Sequence, residues 1–189
     1  GLVAHLNEID LGYVFDILNF HPVEFDGKAS GIVRTNNLSE DKDVNARLIV
    51  NNFKFNTGDM GTLLLDGKWS NHNKTVYLDA KSQQTKEDST FINGFVDVGN
   101  NQINMNFTSM KTNLQFLNEY LSGFIANLSG RCTGQLKLYG PLNAMNLEGR
   151  ESVDELGFKP KVLNVTYHIT NDSVIFTPGR FILQNITLK

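Results

Sequence analysis

Residues 128–149 of the chain read LSGRCTGQLKLYGPLNAMNLEG and contain two strand-like segments separated by a proline turn. In the first segment Leu136 and Leu138 alternate with polar residues, which is the period-two pattern of a β-strand with one apolar and one solvated face. Gly140 and Pro141 end this strand because the pair favours a turn, and a second strand follows. The stretch contains no catalytic motif, so it predicts secondary structure and gives no indication of a reaction.

The same alternation of apolar and polar residues recurs along the chain between turns rich in glycine and asparagine. About a dozen short segments of this kind predict an all-β fold, and alternation in place of continuous apolar runs predicts mainly antiparallel pairing. Phe53 and Phe55 continue one of these patterns out of phase, which predicts a β-bulge near Asn52. The clearest segments are 44–50, 61–69, 75–82, 90–98, 103–110, 161–170, 173–178 and 181–189.

Two segments have helical spacing instead. Residues 11–18 and residues 112–122 each place their apolar side chains on a single stripe, so we expect one or two short helices. Thr112 or Asn113 supplies a side chain suited to capping the second helix, and Gly123 stands where that helix would end.

Composition and charge narrow the class of protein. The chain has 189 residues, 40% of them hydrophobic and 20% charged, which is typical of a folded globular chain. A net charge of −3 gives no basic face for nucleic acid, so we expect no nucleic-acid partner. Cys132 is the only cysteine, which excludes an intramolecular disulfide. No run of residues approaches the ~18 apolar residues of a membrane span.

Residues with catalytic or metal-binding chemistry are scattered along the sequence. Cys132 lies beside Arg131 with no histidine nearby in the sequence, which favours a packing role over a nucleophile. No phosphate-binding or dinucleotide-binding glycine loop is present. The four histidines show no metal-ligand spacing, and they stand at positions 5, 21, 72 and 168.

The acidic residues form small groups in polar stretches, a pattern that usually indicates solvated charge. The groups are Asp41 with Asp43, and Glu151 with Asp154 and Glu155. We therefore expect no enzyme activity, no catalytic residue, no cofactor and no metal.

The apolar stripes of the strands are the remaining candidate for a site. Because strand side chains alternate between faces, these stripes are expected to point to one shared concave face, with Asn104, Asn106, Lys137 and Thr166 on the opposite face. The predicted hydrophobic groove consists of Leu48, Val50, Ile103, Met105, Phe107, Leu136, Leu138, Leu163, Val165, Tyr167 and Ile169.

Several stretches also resemble the C-terminal part of the TamB-like translocation and assembly module proteins, of the wider AsmA-like group, in their Bacteroidetes-type versions. Their motifs are mostly glycines and alternating apolar residues in a specific order, spread over residues 20–188. The stretches are VEFDGKASG (23–31), ARLIVNNFKFNTGDMGTLLLDGKW (46–69), INGFVDV (92–98), LQFLNEYLSGFIANLSGRCTGQLKLYGPLNAMNLEG (114–149) and LNVTYHITNDSVIF (163–176).

This resemblance implies that residues 1–189 are a single segment of a larger β-groove domain, an elongated, curled, open sheet with an apolar concave face. It further implies a periplasmic location in a protein anchored to the inner membrane outside this chain. The implied partners are phospholipid acyl chains or outer-membrane protein strands, together with an outer-membrane assembly partner of the full-length protein.

A second hypothesis from a different class is a closed β-sandwich that binds a ligand such as carbohydrate. Carbohydrate sites favour exposed aromatic side chains on a rigid face, and Trp69 with Tyr77 are the candidates. The two hypotheses differ in whether a second sheet covers the apolar face.

Overall fold

The computed structural model describes residues 1–13, 24–35, 43–56, 58–170 and 172–184 of the chain. Strands account for 73% and helices for 6% of the structure. The prediction of a mainly antiparallel all-β fold with very short helices is therefore confirmed.

The strands of the described residues form one 12-stranded sheet. In chain order they are β1 (Leu2–Asp10), β2 (Phe25–Thr35), β3 (Val44–Phe55), β4 (Gly58–Ser70), β5 (Thr75–Gln83), β6 (Ser89–Asp97), β7 (Gln102–Asn113), β8 (Ile125–Pro141), β9 (Asn146–Pro160), β10 (Tyr167–Ile169), β11 (Asp172–Thr177) and β12 (Arg180–Gln184).

The topology is a simple meander from β1 to β9. Each of these strands pairs antiparallel with the next one, and β9 then pairs along part of its length with β10 and along another part with β11, which pairs with β12. The short turns that join β4 through β7, and β8 to β9, suit this arrangement, since only antiparallel strands can be joined by tight hairpins. The sheet is open, with β1 at one edge and β12 at the other.

The helical segment follows β7 and is shorter than predicted. A 3₁₀ turn spans Leu114–Leu117 and one α-helical turn, α1, spans Asn118–Leu121. The Asn113 side chain caps the 3₁₀ turn by accepting a hydrogen bond from the Gln115 amide at 3.0 Å. Near the N-terminus, residues 11–13 are helical, and the rest of the predicted 11–18 helix lies outside the described residues.

The predicted bulge in β3 is present. Asn52 has a φ of +52°, and the register of β3 against β4 shifts between Val50 and Phe53. Because the bulge adds one residue to β3, the side chains of Val50, Phe53 and Phe55 all point to the same face of the sheet, and all three are buried.

The predicted strand 161–170 is wrong over most of its length. Pro160 ends β9, residues 161–163 form a turn, and strand pairing resumes only at Tyr167. The alternation is present in the sequence, but the Asn164 amide donates to the Pro160 carbonyl at 2.9 Å and Asn164 has a φ of +54°. This turn takes Leu163 and Val165 out of the sheet.

The sheet bends over one face. The rings of Phe55 in β3 and Phe107 in β7 lie 6.3 Å apart between centroids, although three strands separate β3 from β7. A flat sheet would place them about 19 Å apart, at ~4.8 Å per strand. Small side chains line the floor of the bend on the intervening strands, among them Ala80, Ser82 and Thr90. The bend makes this face concave and gives the single sheet a core of its own.

Candidate functional site on the concave face

The cross-strand register shows which side chains share the concave face. Directly opposed residues in neighbouring strands point to the same side, so a row can be followed across the sheet. One row runs from Leu48 through Leu65, Ala80, Ile92 and Phe107 to Leu136.

All but two of the predicted groove residues lie on this face. Leu163 and Val165 do not: they follow the turn after β9 and are 58% and 55% exposed. The prediction is wrong for that pair because the turn interrupts the strand. The residues on the concave face are Leu48, Val50, Ile103, Met105, Phe107, Leu136, Leu138, Tyr167 and Ile169.

The concave face has two halves that differ in cover. In the half beside the helical segment, here named the closed half, Leu114, Phe116 and Leu117 are at most 2% exposed and pack down onto the sheet. The Phe116 ring lies 5.9 Å from that of Phe55 and 6.1 Å from that of Phe107. These rings bring the two sides of the bend together and fill the space between them.

The other half, here named the open half, has no such cover among the described residues. Ile103, Met105 and Leu138, on β7 and β8, are buried there, whereas the apolar side chains on the neighbouring strands are only half-buried. They come from β3, β4, β5, β6 and β9, and the side chains of Leu142 and Met145 in the turn between β8 and β9 flank them. The members of the open half are Leu48, Leu65, Leu78, Ile92, Val96 and Leu147.

A belt of polar side chains crosses the concave face beside the row that contains Leu48 and Phe107. The hydroxyl groups of Thr90 and Thr112 share a hydrogen bond of 2.5 Å, whereas the Ser109 hydroxyl has no hydrogen-bond partner within the described residues. The buried members of the belt are Ser82, Thr90, Ser109, Thr112, Glu151 and Asp172.

Glu151 is the least expected member of this belt. It is 0% exposed, and neither carboxyl oxygen has a hydrogen-bond partner in the described part of the chain. Burial raises the pKa of Glu151 to about 7, an effect that the nearby Cys132 thiol and Ser109 hydroxyl only partly offset. The group is therefore largely neutral below pH 7, which removes most of the cost of burying it.

Sequence reasoning placed Glu151 with Asp154 and Glu155 as solvated charge, and for Glu151 that prediction is wrong. Asp154 and Glu155 are exposed, but Glu151 lies two residues before buried Val153 on the same face of β9. Glu151 has the same strand phase as Val153, which could have predicted its burial, but its two acidic neighbours, Asp154 and Glu155, obscured this pattern.

Cys132 fits the predicted packing role. It is fully buried, and burial raises the pKa of its thiol well above the usual value, so the thiol is protonated at neutral pH. A protonated thiol is a poor nucleophile.

The outer face of the sheet carries charged side chains beside exposed apolar ones such as Ile49, Leu64 and Phe91, and it holds a cavity of about 420 Å³. The charges along it are largely paired with one another: Arg47 binds Asp66 at 2.8 Å, and Lys68 lies 3.3 Å from Asp43. Surface pairs of this kind contribute little to stability.

The two aromatic residues of the carbohydrate hypothesis lie on opposite faces. Trp69 opposes Val76 across the β4–β5 pair, whereas Tyr77, the next residue along, opposes Lys68 on the outer face. They therefore cannot act together on one ligand.

Metal-binding and membrane-spanning features are absent from the described residues. No group of three or more histidine, cysteine or acidic side chains is placed to hold a metal ion there. His21 and Asp41 lie outside the described ranges. Within those ranges no helix has the length and apolarity needed to cross a membrane.

Comparison with known proteins identifies no family. No family model, no curated protein and no solved structure matches the chain.

Proposed function

We propose that this chain is a segment of a periplasmic envelope-biogenesis protein whose concave face binds apolar cargo without catalysis. The observation that carries the proposal is the open half of that face, where apolar side chains from five strands are left half-buried in an open sheet. Exposed apolar patches of this kind mark binding sites. The periplasmic location rests on the resemblance of the sequence to TamB-like proteins.

Phospholipid acyl chains are the first candidate cargo. A groove lined by aliphatic side chains and free of charge suits a flexible alkyl chain, since the contact needs no directional partner. Sequestering about ten methylenes would stabilise the complex by roughly 8 kcal/mol, at ~0.8 kcal/mol each. This is ample for passive holding and transfer without any catalytic residue.

The unfolded strands of outer-membrane proteins are the second candidate cargo, and the open sheet edge is the observation that favours them. A strand at an edge presents unpaired backbone groups that an extended polypeptide can pair with. In β1, which forms one edge, Leu2 and Val3 are 62% and 50% exposed. In the full-length protein an outer-membrane assembly partner would receive the cargo.

The carbohydrate-binding sandwich has less support. It requires a second sheet over the apolar face, and the described strands form one sheet. It also requires Trp69 and Tyr77 on one surface, and the register places them on opposite faces.

Lipid extraction and mass spectrometry of the purified chain test the proposal. We expect co-purified phospholipid in the wild type and a clear loss in Leu78→Asp, because a charge in the open half opposes alkyl contact. Tyr77→Asp, the neighbouring position on the outer face, is the matched control and should retain lipid. Equal lipid content in all three proteins, or none in the wild type, would contradict a lipid cargo.

A further inference from the structure

Two adjacent turns at the end of the β8–β9 strand pair hold large apolar side chains in solvent. One turn precedes β8 and contains Phe124, which is 56% exposed. The other follows β9 and contains Val162, Leu163 and Val165, which are 95%, 58% and 55% exposed. Here these four residues are named the apolar tip. Single exposed apolar residues are ordinary, but a cluster of four on neighbouring turns is not.

The apolar tip is fixed by backbone hydrogen bonds. The Lys161 amide donates to the Phe124 carbonyl at 3.0 Å, which ties the two turns together. Within the turns, the Phe124 amide donates to Leu121 at 2.9 Å and the Asn164 amide donates to Pro160 at 2.9 Å. These hydrogen bonds order the backbone of both turns. The turns could not rearrange to bury the exposed side chains without breaking these bonds.

Two lysines flank the apolar tip. Lys159 is half-buried at the end of β9, Lys161 is exposed in the turn, and neither forms an ion pair with any described residue. The nearest acidic residues along the chain lie further back, at Glu119 in α1 and at Glu155, five residues before Pro160 in β9. Lysine stems can lie along an apolar surface while their ammonium groups reach outward.

From this arrangement we infer that the apolar tip inserts into the interface of a bilayer that contains anionic phospholipid. Exposed apolar side chains with lysines beside them match the two layers of such a surface, acyl chains beneath and phosphate groups above. A second copy of the chain is a poorer partner, because a twofold contact would bring the lysines of both tips together. The inference does not depend on what the concave face carries.

Vesicle flotation with the purified chain tests the inference. The vesicles contain phosphatidylcholine with 30% phosphatidylglycerol in one arm and phosphatidylcholine alone in the other. We expect binding to the anionic vesicles, reduced about tenfold or more in the double variant Val162→Ser, Leu163→Ser, which removes two exposed apolar side chains. Lys161→Glu should weaken binding to anionic vesicles about fivefold or more and leave binding to neutral vesicles unchanged.

The matched control is the double variant Ile49→Ser, Leu64→Ser on the outer face. These residues are 48% and 51% exposed, much like the tip residues, and lie opposite each other in β3 and β4. The control should bind like the wild type, and all variants should keep the wild-type melting temperature because the substituted side chains are largely in solvent.

Three results would overturn the inference: no binding of the wild type to anionic vesicles, equal binding by the tip variant, or equal loss in the control. A wild-type dimer that the tip variant abolishes, measured by analytical ultracentrifugation, would assign the surface to self-association instead. Retention of co-purified lipid by the tip variant would show that the concave face acts separately.

Discussion

The closed and open halves of the concave face belong to one sheet and are both apolar, yet they differ in burial. Phe116 is 2% exposed and joins the two sides of the bend, whereas Leu78, on the same face of the sheet, is half-buried. The difference comes from the helical segment after β7, which covers one half alone. Similar apolar patterns therefore produce a core where a cover exists and a candidate binding surface where it does not.

The largest expected effect is the loss of the aromatic contact in the closed half. Phe116→Ala should lower the free energy of unfolding by about 3–5 kcal/mol, because it removes a buried ring and leaves a cavity. Leu78→Ala, in the open half, should cost only about 1 kcal/mol, since part of that side chain is already in water. Urea unfolding measures both, and equal losses would show that the two halves do not differ in packing.

The buried polar belt of the concave face gives a pH-dependent stability. Burial raises the pKa of Glu151 to about 7, above the ordinary value of 4.5, so the folded chain binds more protons than the unfolded chain between these pH values. Stability should therefore fall as the pH rises from about 5 to 8, by up to ~3 kcal/mol, and remain low above that range.

Glu151→Gln is the variant that isolates this effect. It should flatten the decline in stability between pH 5 and 8 and be more stable than the wild type at pH 8, since no charge has to be buried. Chemical denaturation at several pH values measures this. An unchanged decline in the variant would assign the pH dependence to other groups.

The close approach of β4 to the helical segment depends on a glycine. A Cβ atom at Gly58 would lie 2.6 Å from the Phe116 amide nitrogen, so Gly58→Ala should push the cover away from the sheet and cost about 1–3 kcal/mol. Gly123→Ala is the control, because nothing lies within 4 Å of its Cβ position, and it should change stability by less than about 0.5 kcal/mol. Comparable melting temperatures for the two variants would disprove this tight contact.

Much of the fold follows from local pattern. The alternation around Leu136 and Leu138 predicted the strands, and the phase change at Asn52 located the bulge, because both depend only on neighbours in the chain. The prediction placed Leu163 and Val165 in a strand because their residues alternate between apolar and polar. Asn164 instead adopts a left-handed conformation and closes a turn, which the alternation does not indicate.

The division of the concave face lay beyond sequence reasoning for a different reason. It depends on the approach of Phe55 to Phe107 and Phe116, which are far apart in the chain and meet only because the sheet bends. Glu151 was missed for a related reason, since its burial follows from the strands packed around it and not from its own sequence neighbours.

Site-specific photo-crosslinking in cells, in the full-length protein, tests the central claim most directly. A photoreactive residue at Leu78 should capture phospholipid, and one at Asp79, the next residue on the outer face, should capture none. A photoreactive residue at position 116, in place of Phe116, should also capture no phospholipid, because the closed half is filled by packed side chains. Equal crosslinking at Leu78 and Asp79, or crosslinking at Phe116 as strong as at Leu78, would contradict lipid binding in the open half.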